Sequence, residues 1–134
     1  MSTKMKPTVI VAEDSRIYLE RIAKLVAKDF EILAVTTDGN RGLAATMRSS
    51  PDVVLLDIAL PGISGIEIAR EIRRSGQKSK IVFVTVHEGA DFMQGAVQAG
   101  ADGYVFKSRL DTDLLRALDE VLAGRVFLSS NFAE

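Results

Sequence analysis

The sequence predicts an α/β fold in which a five-stranded parallel sheet is covered by helices on both faces. Short segments rich in Val, Ile and aromatic residues alternate with segments whose apolar residues follow helical spacing. Several of the short segments are continuous apolar runs, which are typical of strands buried on both faces of a parallel sheet. Strand–helix pairs in succession favour a doubly wound sandwich, because right-handed crossovers place helices on both sides of the sheet.

The apolar runs identify the strands, and polar caps or glycines mark the ends of the helices between them. The strands are predicted at residues 8–12, 32–36, 53–56, 81–85 and 103–106. Ser15 is a candidate cap for the first helix, and Ser64 and Glu67 have the spacing of a capping box for the third. The helices are predicted from Ser15 to about Phe30, from Gly42 to Arg48 after an opening near Asp38, from Ser64 to Gly76, around Met93 up to Gly100, and from about Asp111 to Ala123.

Length and composition indicate one globular domain. The 134 residues, 47% apolar and 26% charged, can bury a hydrophobic core, and a net charge of −1 gives no indication of a nucleic-acid-binding surface. The absence of cysteine excludes a disulfide framework, a thiolate zinc site and a cysteine nucleophile. We find no membrane span or signal peptide and expect a cytoplasmic protein. We expect residues 1–7 to be a short lead, residues 8–124 to form the domain, and residues 125–134 to be a tail or the start of a linker.

Charged and hydroxyl side chains stand where four of the predicted strands end. Glu13 and Asp14 follow the first strand, Asp57 follows the third, Thr85 ends the fourth and Lys107 follows the fifth. Because functional groups of a doubly wound sheet gather at the carboxyl ends of its strands, we expect these side chains to lie close together. Three carboxylates would repel one another unless a cation joined them, and a set of oxygen ligands without His or Cys favours Mg²⁺.

These residue types suit phosphoryl transfer. A carboxylate can act as the nucleophile, while a metal ion and a lysine neutralise charge on the phosphoryl oxygens. Taken singly, each residue also has an ordinary interpretation: Asp57 could cap a turn, Thr85 could simply end a strand, and Lys107 could be a surface lysine. The prediction therefore depends on the set and not on one member.

Two longer stretches extend the pattern into a family resemblance. With Asp57 in LLDIALPGISG, Lys107 in GADGYVFKS, and the acidic pair and threonine at their strand ends, the chain resembles receiver domains of two-component response regulators. The resemblance covers nearly the whole chain, from about residue 8 to residue 124. It implies a CheY-like, flavodoxin-like (βα)5 sandwich whose five-stranded parallel sheet has the order 2-1-3-4-5.

The resemblance also implies a role for each acidic residue. Asp57 resembles the aspartate that accepts the phosphoryl group, and Asp14 resembles the direct ligand of Mg²⁺. Glu13 resembles the acidic neighbour that reaches the ion through water. The backbone carbonyl of Ala59, two residues after the acceptor, would be a further ligand.

A second group of residues resembles the part of such domains that responds to phosphorylation. Thr85 and Lys107 would bind phosphoryl oxygens, and Tyr104 matches the aromatic residue whose rotamer follows Thr85. Phosphorylation would then bias a two-state equilibrium and reshape the face made by the fourth helix, fifth strand and fifth helix. Two residues depart from the family pattern: Ser108 replaces the frequent proline and removes support for a cis peptide, and Val86 is bulkier than usual and predicts slower phosphotransfer or dephosphorylation.

The resemblance implies partners as well as chemistry. A histidine kinase or phosphotransfer protein would donate the phosphoryl group, a downstream domain or protein would receive the signal, and a phosphorylation-dependent homodimer is compatible with this scheme. The ending GADGYVFKS…LLRALDEVLAGRVFLSS resembles receivers followed by a LuxR-type helix-turn-helix domain, which points to transcription regulation. The alternative is a stand-alone receiver that acts through protein contacts, and we expect no direct binding of nucleic acid or membrane by this chain.

Two other classes of protein, a phosphohydrolase and a nucleotide-binding protein, compete with the switch and fit less well. Phosphohydrolases of the haloacid-dehalogenase type need a second aspartate two residues after the nucleophile, where this chain has Ala59, and they need room for a substrate cap. A nucleotide-binding protein would carry a glycine-rich phosphate loop, which the sequence lacks. We therefore expect a signalling domain that at most catalyses its own phosphorylation and dephosphorylation, not an enzyme.

Overall fold

The computed structural model describes residues 5–131, so residues 1–4 of the expected lead and residues 132–134 of the expected tail lie outside the described residues. Strands and helices alternate through most of the described chain. The strands are β1 (Thr8–Ala12), β2 (Glu31–Thr36), β3 (Val53–Leu56), β4 (Lys80–Thr85), β5 (Gly103–Phe106) and β6 (Phe127–Leu128). The helices are α1 (Arg16–Val26), α2 (Gly39–Ser49), α3 (Gly65–Arg74), α4 (Ala90–Gln98) and α5 (Leu110–Leu122), with a short 3-10 turn at Lys107–Arg109.

All strand pairs are parallel, and across the described residues the sheet has the order β2-β1-β3-β4-β5-β6. The predicted order of the first five strands is therefore confirmed, and the predicted number of five strands is wrong. The additional strand pairs Phe127 with Gly103 and Leu128 with Tyr104. A strand of two residues is too short to leave a periodic pattern in the sequence, and only its pairing with β5 identifies it.

The end of the chain is held against β5 by a buried serine. The Ser129 backbone N–H donates to the carbonyl of Tyr104 at 2.8 Å, and the Ser129 hydroxyl accepts from the Phe106 N–H at 3.1 Å. The same hydroxyl donates to a carboxylate oxygen of Asp113 on α5 at 2.7 Å, and Ser129 and Asp113 are both buried. The segment after α5 is therefore part of the packed structure as far as these contacts reach.

Helices cover both faces of the sheet, as the continuous apolar runs predict. One core cluster joins α1 and α5 to the side chains on one face, including Val11 and Leu55. The other joins α2, α3 and α4 to the opposite face, including Ile10, Leu56 and Phe83. Because successive side chains of a strand point to opposite faces, apolar residues at every position fill both layers.

Polar caps begin three of the helices where the sequence predicts them. The side chains of Ser15, Asp38 and Ser64 each accept a hydrogen bond from a backbone N–H three residues further on. One predicted boundary is wrong: α1 ends at Val26, and Phe30 lies beyond it, although Phe30 is buried and its N–H still bonds the Val26 carbonyl. In residues 5–131, no helix has the length and apolar character needed to cross a membrane.

Candidate functional site at the carboxyl ends of the strands

Asp57 lies at the centre of the sheet, directly after β3. Its backbone N–H donates to the carbonyl of Ala12 at the end of β1, at 3.0 Å, and this bond fixes the residue between two strand ends. Its Oδ1 accepts from the following N–H of Ile58 at 2.7 Å. The start of α3 is packed closely against the backbone of Asp57. A Cβ built on Gly65 would lie 2.1 Å from the Asp57 carbonyl oxygen, so only glycine fits at this position.

Lys107 joins Asp57 to Glu13. Its ammonium Nζ lies 2.9 Å from Oδ2 of Asp57 and 2.9 Å from Oε2 of Glu13. The three side chains are 5%, 9% and 1% exposed for Lys107, Asp57 and Glu13, respectively. The ends of the first, third and fifth strands therefore bring their charged residues together, as the parallel topology predicts.

Burial and charge act against each other in this cluster. Burial raises the pKa of Glu13 above its usual range, although the hydrogen bonds from Lys107 and the Ser15 N–H oppose that rise. Burial alone would lower the pKa of Lys107, but its hydrogen bonds with Glu13 and Asp57 outweigh this and leave the pKa above its ordinary value. Lys107 is therefore a fixed positive charge at neutral pH.

Glu13 has one carboxylate oxygen that is not satisfied by the protein. Oε2 accepts from Lys107 and from the Ser15 N–H at 2.9 Å, whereas Oε1 is buried and has no hydrogen-bond partner among the described residues. A buried unpaired carboxylate oxygen is costly, and a cation or its bound water would satisfy it. The chemistry of the nearby donors, which are all oxygens, fits a hard divalent ion.

The predicted metal ligands differ in how exposed they are. Asp14 is exposed and makes no hydrogen bond or ion pair with another described residue, and Ala59 is exposed in the bend after Asp57. Within residues 5–131, no three His, Asp or Glu side chains are arranged as a ready-made metal site. In this structure Lys107 takes the position between Glu13 and Asp57, and a metal ion would have to share those carboxylates with it.

Thr85 and Tyr104 are linked through the backbone of His87. The Thr85 hydroxyl accepts from the His87 N–H at 3.1 Å, and the Tyr104 hydroxyl donates to the His87 carbonyl at 2.6 Å. Both side chains are fully buried, and neither is hydrogen-bonded to Asp57. Burial, with a smaller contribution from the charge of Asp57, raises the pKa of Tyr104 to about 12.

The two departures from the family pattern lie close to these residues. Val86 follows Thr85 and is 61% exposed, so it stands at the open side of the loop between β4 and α4. The peptide bond between Lys107 and Ser108 is trans. The Ser108 hydroxyl donates at 2.7 Å to a carboxylate oxygen of Glu88, which like Val86 lies in the loop between β4 and α4.

Sequence reasoning missed two contacts of the cluster. The ring of Tyr18, in the first turn of α1, lies with its centroid 4.6 Å from the ammonium of Lys107. The His87 backbone joins the two predicted switch residues. An aromatic residue one turn after the acidic pair was the available signal for Tyr18, but nothing in the sequence says which way its ring points.

Comparison with known proteins identifies one family. Residues 9–119 match a family described as the response regulator receiver domain. The chain is 31% identical to a nitrate/nitrite response regulator protein homolog of Haemophilus influenzae, over 98% of this chain and 63% of that protein. It is 35% identical to the response regulator GacA of Pseudomonas aeruginosa, over 94% of this chain and 60% of that protein. The chain thus spans about three fifths of the length of these curated relatives.

Solved structures agree with this similarity. A LuxR-family two-component response regulator from an Aurantimonas species superimposes with a TM-score of 0.88 at 31% identity, over 94% of this chain and 91% of that one. A LuxR-family DNA-binding response regulator from Staphylococcus aureus gives a TM-score of 0.83 at 32% identity, over 87% of this chain and 98% of that one. The similarity extends through the strands and helices that carry the charged cluster.

Proposed function

Because the chain belongs to the family of response regulator receiver domains, we propose that it works as a phosphorylation-dependent switch with Asp57 as its acceptor. The resemblance predicted from the sequence motifs is confirmed for residues 9–119. The observation that carries the proposal is the buried ammonium of Lys107 between Asp57 and Glu13, with 2.9 Å to each carboxylate. A lysine held beside a carboxylate at the end of a central strand is the arrangement that aspartyl phosphorylation needs.

The reaction uses one oxygen of Asp57 as the nucleophile. That oxygen forms a bond to the phosphorus of the donor, the bond from phosphorus to the leaving group breaks, and the leaving group departs with the electron pair. Oδ1 is held by the Ile58 N–H and Oδ2 by Lys107, so the carboxylate is oriented before the donor arrives. Lys107 then neutralises negative charge on the phosphoryl group.

The proposed cofactor is Mg²⁺. Glu13, Asp14, Asp57 and the backbone carbonyl of Ala59 would hold it, and the unpartnered Oε1 of Glu13 supports a cation at that side of the cluster. The ion would supply positive charge to the phosphoryl oxygens when bound. Lys107 supplies part of that charge from the protein itself.

We infer that the switch passes from Thr85 to Tyr104 through His87. A phosphoryl group on Asp57 offers the Thr85 hydroxyl a charged acceptor, and in the resting structure the hydroxyl accepts from the His87 N–H. Movement of Thr85 toward the phosphoryl group would break its hydrogen bond with the His87 N–H. The His87 carbonyl, to which the Tyr104 hydroxyl donates, would then shift. The loop between β4 and α4 would rearrange, and the surface of α4, β5 and α5 would change with it.

The proposed output is transcription through a LuxR-type domain in a longer protein. Two of the similar structures are described as LuxR-family regulators, and the curated relatives are longer than this chain. The donor would be a histidine kinase or a phosphotransfer protein, and the receiver of the signal a linked domain or a second protein. A stand-alone receiver acting by protein contact, a phosphorylation-dependent homodimer and a cytoplasmic location stay predictions from the sequence.

Intact mass after treatment with a small acyl phosphate tests the acceptor and the metal together. The parent is expected to gain the mass of one phosphoryl group when Mg²⁺ is present and to gain none when it is chelated. Asp57→Asn is expected to take up none, whereas Asp119→Asn, a matched change at an exposed position on α5, behaves as the parent. Phosphate uptake by Asp57→Asn, or continuous turnover of the donor without an adduct, would contradict the proposal.

A further inference from the structure

The ammonium of Lys107 contacts an uncharged aromatic ring as well as two carboxylates. Two of its three N–H groups donate to Glu13 and Asp57, and within residues 5–131 the third has no oxygen acceptor. The ring centroid of Tyr18 lies 4.6 Å from Nζ, inside the distance of about 6 Å at which an aromatic face attracts a cation. The ring therefore contacts the ammonium in addition to its two carboxylate partners.

Ser15 connects Tyr18 to Glu13 through two hydrogen bonds. The Ser15 N–H donates to Oε2 of Glu13 at 2.9 Å, and the Ser15 hydroxyl caps α1 by accepting from the Tyr18 N–H. Tyr18 is half-buried and packs against the core cluster shared by α1 and α5. The helix start, the acidic residue and the ring are thus connected as one unit beside Lys107.

We propose that Tyr18 is a positioning residue for Lys107 during phosphorylation, an inference that rests on the function proposed above. In the resting structure Asp57 holds the ammonium through Oδ2. When that carboxylate attacks phosphorus, its electron pair is committed to the new bond, and Lys107 has to exchange its hydrogen bond with Asp57 for one with the phosphoryl oxygens. The ring stays where it is, because a neutral side chain competes with neither the phosphoryl group nor a cation.

The ring therefore contributes more in the transition state than in the resting state, which is the condition for an effect on rate. In the resting state two carboxylates already fix the ammonium. During transfer the ring is one of the few remaining groups that keep the ammonium directed at the phosphoryl oxygens. A ring contact with a desolvated cation corresponds to a factor of about 5 to 30 in a rate or equilibrium constant.

Four variants separate the ring from its surroundings. Tyr18→Leu removes the aromatic face and keeps an apolar, helix-forming side chain, while Tyr18→Phe keeps the face and removes the hydroxyl. Arg21→Gln is the matched control, because the Arg21 guanidinium also lies over this ring, at 5.4 Å, and pairs with Asp111 on α5. Tyr18→Met serves as a second apolar replacement if the Leu variant folds poorly by circular dichroism.

The first measurement is the rate of phosphate uptake from a small acyl phosphate with Mg²⁺. We expect Tyr18→Leu to be slower than the parent by a factor of about 5 to 30, and Tyr18→Phe and Arg21→Gln to stay within about twofold. Parental rates in both Tyr18→Leu and Tyr18→Met would overturn the proposal. A Phe variant as slow as the Leu variant would also overturn it, because the hydroxyl and not the ring would then be responsible.

The second measurement needs no phosphorylation. Protons held over an aromatic face are shifted upfield, so the Lys107 Hε signals, identified by their loss in Lys107→Arg, report the contact directly. We expect the Lys107 Hε signals to be shifted upfield in the parent and in Tyr18→Phe, and not in Tyr18→Leu. The same chemical shift in these three proteins would overturn the proposal. If the parent takes up no phosphate but shows the shift, the proposed function fails while the contact between ring and ammonium stands.

Discussion

Replacement of Lys107 by methionine tests the electrostatic account of the site most directly. Methionine keeps the length and packing of the lysine stem and removes only the ammonium. The change leaves Glu13 and Asp57 as buried carboxylates, 1% and 9% exposed, that have both lost a hydrogen bond of 2.9 Å. Buried charges without a partner are among the most destabilising features that a folded protein can carry.

The expected loss in the free energy of unfolding is about 3–5 kcal/mol at neutral pH, the cost of breaking a buried ion pair by removing one partner. For a domain of this size it corresponds to a decrease in Tm on the order of 10–20 °C. The double variant Lys107→Met with Glu13→Gln is expected to recover part of the loss, because one of the two unpaired carboxylates is gone.

The effect of pH on this variant has a definite sign. The pKa of Glu13 is already raised from its ordinary value of 4.5, mainly by burial, and removal of the Lys107 hydrogen bond raises it further. A carboxyl whose folded-state pKa is raised binds a proton more tightly when folded. The penalty is therefore small near pH 4.5 and grows as the pH rises through the raised pKa.

Urea unfolding followed by circular dichroism at pH 5 and pH 8 measures both effects. The control is Lys24→Met, an exposed lysine on α1, which is expected to change the free energy of unfolding by less than about 0.5 kcal/mol. If Lys107→Met is as stable as Lys24→Met at pH 8, or if its deficit is no smaller at pH 5, the ion-pair account is refuted.

Three further changes probe the switch and the end of the chain. Tyr104→Phe is expected to cost about 1 kcal/mol at neutral pH by removing the hydrogen bond to the His87 carbonyl. The pKa of Tyr104 is raised from 10 to about 12, so between these pH values the buried phenol stays neutral while the unfolded one ionises. The free energy of unfolding of the parent should therefore fall by about 1.4 kcal/mol per pH unit above pH 10, relative to the Phe variant. A difference in stability between the two proteins that stays constant from pH 9 to pH 11 in urea unfolding would contradict this. Ser129→Ala is expected to lower the free energy of unfolding by about 1–3 kcal/mol. It should also speed hydrogen exchange of the Phe106 amide, which loses its only side-chain acceptor within the described chain. Unchanged protection of that amide, measured by NMR, would show that β6 is not held in this way. Val86→Ala is expected to speed phosphate uptake or loss, and rates equal to those of the parent by intact mass would show that the exposed valine does not obstruct the site.

The strands were the most predictable part of the fold. The runs at residues 53–56 and 103–106 coincide with β3 and β5, because strands buried on both faces must be apolar at every position. The boundary of α1 was less predictable, since Phe30 keeps helical spacing with Val26 and is buried, but reaches the core from the turn after the helix. Apolar spacing reports which side chains are buried and not where the backbone stops being helical.

The meeting of the charged residues at the site was predictable because the parallel topology of the sheet was predictable. The meeting of Glu13, Asp57 and Lys107 follows from parallel strands whose carboxyl ends share one edge of the sheet. Glu13 is buried in this cluster, whereas the adjacent Asp14 is exposed. Neighbouring residues at the end of a strand project in different directions, so the two carboxylates of an acidic pair differ in burial.

Residue types and their order were therefore sufficient for the α/β class, the order of the first five strands and the family. The α/β class depends on local periodicity and on connection rules that any parallel sheet obeys, whereas the strand order was implied by the resemblance to the family. The position of the ammonium between two carboxylates and a ring, the link from Thr85 through His87 to Tyr104, and the pairing of β6 with β5 depend on contacts between distant segments. Those contacts are set by how helices and loops pack on the sheet, and a linear sequence does not show the direction in which a side chain points once they have packed.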